Sequence, residues 1–380
     1  MIPLSIPNTS GNEAKYLLEC IETNFVSTVG PFVTKFEEEV CSNAGAKFGV
    51  STCSGTAGLH LALTSVGVGR DDLVILPSFT FVASANAVSH CGAQPWFFDV
   101  SEDSWTLDID QIRECLENET YVKGNVTTHK ETGRRVAAIM PVYTLGHTAD
   151  MYRLKTLADE FNLPVVADAA AAIGSKYYNK NIGNLADLTV FSFNGNKTIT
   201  CGGGGMVIGN DEELLSYVRH ISTTARLGND YTHDQVGFNY RLTNLQAAVG
   251  CAQIERLDEF VLRKREIDSE YRKQFSDQEG IGFFPSAYWS ESSCWFSGIT
   301  ILDQKLPNVS ELCELLRSRG VAARTFWRPI HLQLPYKSAP KTSLRISENI
   351  FPTILTLPCS TQLSKEEQSN VILVVKDLIG

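Results

Sequence analysis

Short apolar runs alternate with segments of helical spacing along the first two-thirds of the chain. The runs fall at 47–52, 73–76, 95–100, 136–142, 163–168, 188–193 and 205–209. Between them, Leu59, Ala62, Leu63 and Val66 recur at helical spacing, 82–88 suits a helix, and another helix is expected over about 149–161. Mostly continuous rather than alternating in their apolar residues, and separated by helices, these strand-like runs predict an α/β fold with a mostly parallel sheet covered on both faces. After Leu242 the pattern changes. Leu245, Ala248, Val249, Ala252, Ile254, Leu257 and Val261 predict one long helix running towards Phe275, of the kind that bridges two domains. A smaller α+β unit then fills the C-terminal third, with a strand over 296–302 and a helix capped by Asn308, with Glu311 three residues on, and closed by Gly320. The expected division is a large α/β domain over 1–250 and a small one over 251–380. Polar, turn-rich residues 118–135 read as an inserted loop or hairpin.

Composition narrows the function classes. Of 380 residues, 43% are hydrophobic and 20% charged, the balance of a globular protein with a large core. The net charge is −10 and no Lys/Arg block occurs, which argues against nucleic acid as a partner. The first residues carry neither a basic start nor a long apolar run, and no stretch nears the ~20 apolar residues of a membrane span. Ten cysteines lie scattered without metal-ligand spacing. They read as reduced thiols of a cytoplasmic protein, and no metal site is expected.

Candidate chemistry gathers where the apolar runs end, which is where open α/β sheets bind ligands. Ser54-Gly55-Thr56-Ala57 follows the first run and opens a helix, so free N–H groups and hydroxyls there could cradle a phosphate, or merely cap the helix. In Pro77-Ser78-Phe79-Thr80-Phe81, an aromatic could stack on a flat ring or simply enter the core. Asp168 ends another run. A carboxylate there needs a partner such as a protonated ring nitrogen, unless it caps the segment 169–173. Ser192, Asn194 and Lys197 precede the glycines at 202–205, where the chain can turn tightly with positive φ. A lone lysine is ordinarily a solvated surface group. Placed 29 residues after an apolar-run aspartate, Lys197 fits a different use. Pyridoxal 5′-phosphate needs a lysine amine to bind its carbonyl carbon and an acid to keep its ring nitrogen protonated.

This ordered set resembles the fold-type I pyridoxal phosphate enzymes, and within them the DegT/DnrJ/EryC1/StrS family of sugar aminotransferases. Further stretches carry the likeness: Val29-Gly30-Pro31 with Phe36-Glu37, Thr80-Phe81-Val82-Ala83, Asp168-Ala169-Ala170, and Ser192-Phe193-Asn194-Gly195-Asn196-Lys197. So do Gly237-Phe238-Asn239-Tyr240-Arg241-Leu242, Gln246-Ala247-Ala248, Arg324, and Arg328-Pro329-Ile330-His331. The resemblance implies that Lys197 is the Schiff-base lysine and Asp168 the ring-nitrogen partner. It implies that Phe81 stacks on the ring, that Ser54, Gly55, Thr56, Ala57, Ser192 and Asn194 line the cofactor, and that Ala171 lies beside it. Asn239 would reach the phosphate site of a neighbouring subunit, making a homodimer with active sites at the subunit interface. Val29, Gly30, Tyr143, Arg241, Arg324, Arg328 and His331 are the implied substrate contacts, His331 being as readily a structural histidine. The implied reaction moves an amino group from glutamate to a nucleotide-linked ketosugar. The subgroup most resembled acts at C4 of UDP-linked 4-keto-6-deoxy N-acetylhexosamines.

The chain departs from the family pattern at Ala171, where His, Gln or Glu is usual, at Tyr143 in place of a His, and at Gly203 in place of a Glu. These departures leave open a pyridoxal phosphate-binding regulator or sensor with little catalysis. A third possibility is another cofactor reaction such as dehydration.

Overall fold

The computed structural model describes all residues, Met1–Gly380. Its main sheet is built by β1 (Phe48–Thr52), β2 (Leu73–Pro77), β3 (Gln94–Phe98), the hairpin β4 (Thr120–Lys123) and β5 (Val126–His129), β6 (Arg135–Ile139) and β7 (Val166–Asp168). A two-residue hairpin, β8 (Lys176–Tyr177) and β9 (Lys180–Asn181), intervenes before β10 (Leu188–Ser192) and β11 (Gly205–Gly209). One ladder runs β3-β2-β6-β5-β4 and another β1-β11-β10-β7. Parallel bridges Ile139 to Val165 and Val142 to Asp168 join them into one surface. β2 pairs in parallel with β3 and β6, and β7 with β10, while β11 runs antiparallel to both its neighbours. All seven predicted apolar runs are strands of this surface, and the fold-type I α/β architecture is the one expected. The polar insert at 118–135 is the β4–β5 hairpin.

Register decides what meets at the C-terminal edge. Thr52 faces Gly205, Gly205 faces Ser192, and Asp168 faces Val190 two residues before Ser192. The ends of β1, β7 and β10 therefore open into one space, and β11 enters from it.

Helices cover both faces. α3 (Gly55–Ser65), α4 (Val82–His90) and α7 (Glu212–Ser222) lie on one side, and their apolar residues pack with Val74, Leu76, Val166, Val190 and Val207. α1 (Glu13–Glu22), α2 (Pro31–Ala44), α5 (Ile109–Glu119), α6 (Met151–Glu160) and α8 (Asn244–Ile254) contribute to the opposite core, with Ile75, Ile139 and Ile208.

The single long helix expected after Leu242 is broken. α8 ends at Ile254 and α9 (Leu257–Phe275) restarts two residues on. Neither Pro nor Gly causes the break. Arg256 leaves helical geometry (φ −115°, ψ 13°), and its guanidinium donates to Glu259, Asn8 and Ser10. Two packing jobs set this direction change: α8 lies on α1 and α2, whereas α9 carries Ile267, Tyr271 and Phe275 into a third core.

That core backs a second sheet made of β14 (Ile281–Gly282), β16 (Ser297–Ile301), β18 (Ile354–Leu357) and β17 (Arg324–Thr325), in that order. Outside this sheet lie the short hairpin β12 (Arg226–Leu227) and β13 (Thr232–His233), and β15 (Ser290–Glu291), which pairs with β8. α10 (Val309–Ser318) has the expected Asn308 cap, accepting from the Glu311 N–H at 3.0 Å, and ends before Gly320 at φ +80°. α11 (Arg345–Ile350) and α12 (Lys365–Ile379) complete the unit. The N-terminal residues run along it: Ile2 N–H donates to Gly320 and the Cys359 N–H donates to Leu4.

Candidate active site

A cavity of about 420 Å³ opens at the C-terminal edge of the main sheet, walled on its far side by the second sheet. Its floor is Asp168, Ser192, Asn194 and Lys197; its near rim is Ser54, Gly55, Thr56 and Phe81. Tyr143, Ala171 and Gly203 also line it, and Arg324 closes it from β17.

Each part has a local cause. Ser54 is the cap of α3, its hydroxyl accepting from the Ala57 N–H at 3.1 Å. The N–H groups of Gly55 and Thr56 find no acceptor within the chain, which leaves a helix start with donors facing the cavity. The approach is close. A Cβ on Gly55 would stand 2.8 Å from Ser192 Cβ, and one on Gly205 would stand 2.6 Å from the Gly55 nitrogen. Gly202 and Gly204 take positive φ to bring the chain back into β11. The two phenylalanines of the second motif divide their duties: Phe79 is fully buried in the core, whereas Phe81 is 55% exposed and faces the cavity.

Asp168 is 5% exposed. No helix follows it; residues 169–173 form turns, and the Ala170 N–H donates to Oδ1 at 3.1 Å. Ser84, one turn into α4, donates to Oδ2 at 2.7 Å, and its own oxygen lies 2.8 Å from the Thr80 hydroxyl. Burial pushes the carboxyl pKa up, and Ser84, the Ala170 N–H and Lys197 pull the other way. A cation at the cavity's floor would complete this pairing.

Lys197 follows β10 on a turn. Its surface is open only towards the cavity, and burial lowers its pKa to about 8, against the pull of Asp168. Nζ makes no hydrogen bond; it sits 3.7 Å from the ring centroid of Trp295. The lysine is thus an amine that loses its proton near neutrality, facing a buried acid beside a cradle of free N–H groups. That donor set fits pyridoxal 5′-phosphate, whose phosphate, ring nitrogen and carbonyl carbon call for those three features.

Other expected residues lie elsewhere. Ala57 is buried in α3 behind the cradle and does not line the cavity. Val29 is 68% exposed, and Gly30 abuts Asn244, whose Cγ would be 2.4 Å from a Cβ there. Arg241 is buried against Glu37 at 2.9 Å. Glu37 also takes Arg219, the Ser51 N–H and the Ser51 hydroxyl; burial raises its pKa, but the two arginines outweigh that and hold it low. Both ring nitrogens of His331 are engaged, Nδ1 2.6 Å from Ser78 Oγ and Nε2 3.0 Å from Glu348. Arg328 is exposed outside the cavity, as is Asn239, which is bridged to Thr223.

Four aromatic lining residues escaped the sequence reading: Trp295, Phe296, Phe326 and Trp327. They come from the second sheet, where no glycine motif or strand-end acid marks them. Ser84 was also missed, although its place three residues after Phe81 on a helix start was a usable signal. A larger hollow of about 520 Å³ lies near His147, Tyr178 and Arg272, but its charges are matched in pairs, Arg272 with Asp268 and Arg265 with Glu291.

The profile of the DegT/DnrJ/EryC1/StrS aminotransferase family matches residues 7–376. The chain belongs to this family. It is a pyridoxal phosphate-dependent sugar aminotransferase by that membership. EpsN of Bacillus subtilis (strain 168), whose name gives it a provisional pyridoxal phosphate-dependent aminotransferase activity, is 34% identical over 99% of this chain and 95% of its own. GDP-perosamine synthase of Escherichia coli O157:H7 is 34% identical over 96% of this chain and 95% of its own. A crystal structure of a family aminotransferase from Brucella abortus superposes with a TM-score of 0.89 at 27% identity, covering 97% of this chain and 95% of that one.

Proposed function

We propose that this aminotransferase moves an amino group from glutamate to the C4 keto carbon of a UDP-linked 4-keto-6-deoxy N-acetylhexosamine, for surface-polysaccharide or glycan assembly. The observation that carries the reading is Lys197 Nζ: an amine without a hydrogen-bond acceptor, titrating near 8 and facing buried Asp168 across the cavity.

When bound, pyridoxal 5′-phosphate supplies a carbonyl carbon that takes up an amine and a ring that draws electrons from it. Gly55 and Thr56 would hold its phosphate through α3's unpaired N–H groups, with the hydroxyls of Ser54, Thr56 and Ser192 beside them. Asp168, fixed by Ser84 and the Ala170 N–H, holds positive charge at the ring nitrogen. Phe81 flanks the ring. Neutral Lys197 would be the amine that holds the cofactor's carbonyl carbon, a place the donor's amine would then take. Once released, Nζ would take the proton from the donor's α-carbon as base and deliver it as acid to the cofactor carbon that had been the carbonyl carbon. The sugar half-reaction runs the same proton path in reverse. Trp295, Phe296, Phe326 and Trp327 exclude water from that path. Arg324, exposed at the mouth, is placed to meet the diphosphate, and Tyr143 and Ala171 shape the sugar's seat. Arg241, paired with buried Glu37, and His331, held between Ser78 and Glu348, serve the fold.

The same reading assigns residues 1–250 to holding the cofactor and residues 251–380 to closing the cavity. It also places Asn239 in a neighbouring subunit's phosphate site within a homodimer, supported by its exposure away from its own cavity. Mixing Lys197→Ala with Asn239→Ala subunits tests this: restored activity in the mixture supports a shared site, and none overturns it.

A second carrier is favoured by one observation: the relatives include GDP-perosamine synthases at 32–34% identity. Glutamate with UDP- and GDP-linked 4-keto-6-deoxy sugars separates the two by which yields an amino sugar. If neither does while the cofactor stays bound, the sensor reading replaces this one.

A further inference from the structure

Lys197 and Trp295 lie 98 residues apart in sequence and on different sheets, yet the ammonium nitrogen stands 3.7 Å from the indole centroid. A charge over an indole face is attracted by the ring's quadrupole, more so when water is excluded. Nothing else close by accepts from Nζ. The indole N–H meanwhile donates at 2.7 Å to the carbonyl of Asn196, the residue before the lysine. One side chain thus touches both the lysine's nitrogen and its backbone.

Trp295 is held firmly. Its carbonyl accepts from buried Lys264 at 3.0 Å. Its ring packs on Phe296 at 4.3 Å and on Trp327 at 5.9 Å, and Trp327 stacks on Phe326 at 4.3 Å. The charged or titratable side chains lining the cavity around Lys197 are Asp168 from β7, Tyr143 after β6 and Arg324 from β17. Of these, Asp168 alone bears on its titration.

We propose that Trp295 is a positioning residue for Lys197, parking the free ε-amine on its face between the two half-reactions and pinning the Asn196 carbonyl so that Nζ returns to the same spot. The C-terminal sheet in this way sets where the reactive nitrogen waits. The proposal rests on Lys197 being the cofactor-binding amine.

The test uses the full-length protein. In the cofactor-loaded enzyme, borohydride should trap cofactor on Lys197 in wild type; trapping elsewhere or nowhere would sink the function proposed above and not this inference alone. In the cofactor-stripped full chain, the pH midpoint for acylation of Lys197 is read by peptide mass spectrometry. Wild type is expected near 8. Losing the aromatic face in Trp295→Leu removes the ammonium's nearest partner, so the midpoint falls by about one unit, seen as roughly fivefold faster labelling at pH 7. Trp295→Phe keeps a face and stays within about half a unit, which separates positioning from simple loss of folding. In the glutamate half-reaction, Trp295→Leu lowers the rate at saturation and leaves KM near wild type, and Trp295→Phe recovers most of that rate. An unchanged or raised midpoint in Trp295→Leu, or a fall in KM-limited rate alone, overturns the proposal. So does an equal midpoint shift in Trp327→Leu.

Discussion

Half-buried Lys197 and fully buried Lys264 both meet Trp295, one at its face and one at its carbonyl. Lys264 is 2% exposed and donates to Trp295 at 3.0 Å and to Cys359 at 3.1 Å. Its charge is spent on two backbone acceptors that would otherwise lie buried and unpaired. Lys197 has an aromatic face and an empty space in front of it, and its pKa falls to about 8. Buried polar groups whose partners are complete hold a fold together. Groups left incomplete and pointed into a cavity are available to a ligand. The contrast repeats elsewhere: Glu37 and His331 are complete, whereas the Gly55 and Thr56 N–H groups are not.

Substitutions should divide along this line. Lys197→Ala is expected to abolish the visible band of lysine-bound cofactor and to lower turnover by about 10³-fold or more, with little change in unfolding midpoint. A variant that kept the band and its activity would break the comparison at its centre. Asp168→Asn keeps the shape and removes the charge. Turnover should fall by about 10²-fold, with weaker cofactor retention on dialysis.

Lys264→Met should do the opposite of Lys197→Ala. Two carbonyls lose their donor, at about 1–3 kcal/mol each, so chemical denaturation should show a loss of a few kcal/mol while the loaded enzyme keeps its absorbance band. His331→Ala should cost about 1–3 kcal/mol of stability and leave KM for the sugar within about twofold. A large rise in KM would return His331 to the substrate site.

The smallest effect is a pH slope. Capture of added cofactor by the stripped protein needs the neutral amine, whose fraction rises with pH up to its pKa. The capture rate should therefore climb about tenfold per unit below pH 8 and flatten above it, whereas an ordinary lysine would keep climbing towards ~10.4. A rate still rising at pH 9.5 would show Lys197 to be an unperturbed lysine.

How much was legible follows from how each residue is specified. Most of the strands were readable as predominantly apolar runs bounded by glycine or polar residues, and β1, with Gly49, Ser51 and Thr52, by its place just before the Ser54-Gly55-Thr56 turn. The cradle and the Asp168–Lys197 pair were readable because strand ends in such a sheet converge, so residues at successive ends must meet. The break at Arg256 was not readable, since 245–261 keeps one helical spacing and the kink comes from what the two halves pack against. Nor could the chain say that Arg241 turns away from the cavity to pair with Glu37.

The sequence alone placed the strands along the chain and marked Asp168, Lys197 and the Ser54–Ala57 helix start as candidates for one site, because these depend on local pattern and on chemistry few other residues supply. Tertiary structure alone decided which polar groups are finished and which are free. It put Trp295 over Lys197 and Ser84 under Asp168, and it withdrew His331 and Arg241 from the cavity. Pairing across 84 or 98 residues depends on how separate sheets and helices pack, and no spacing along the chain encodes it.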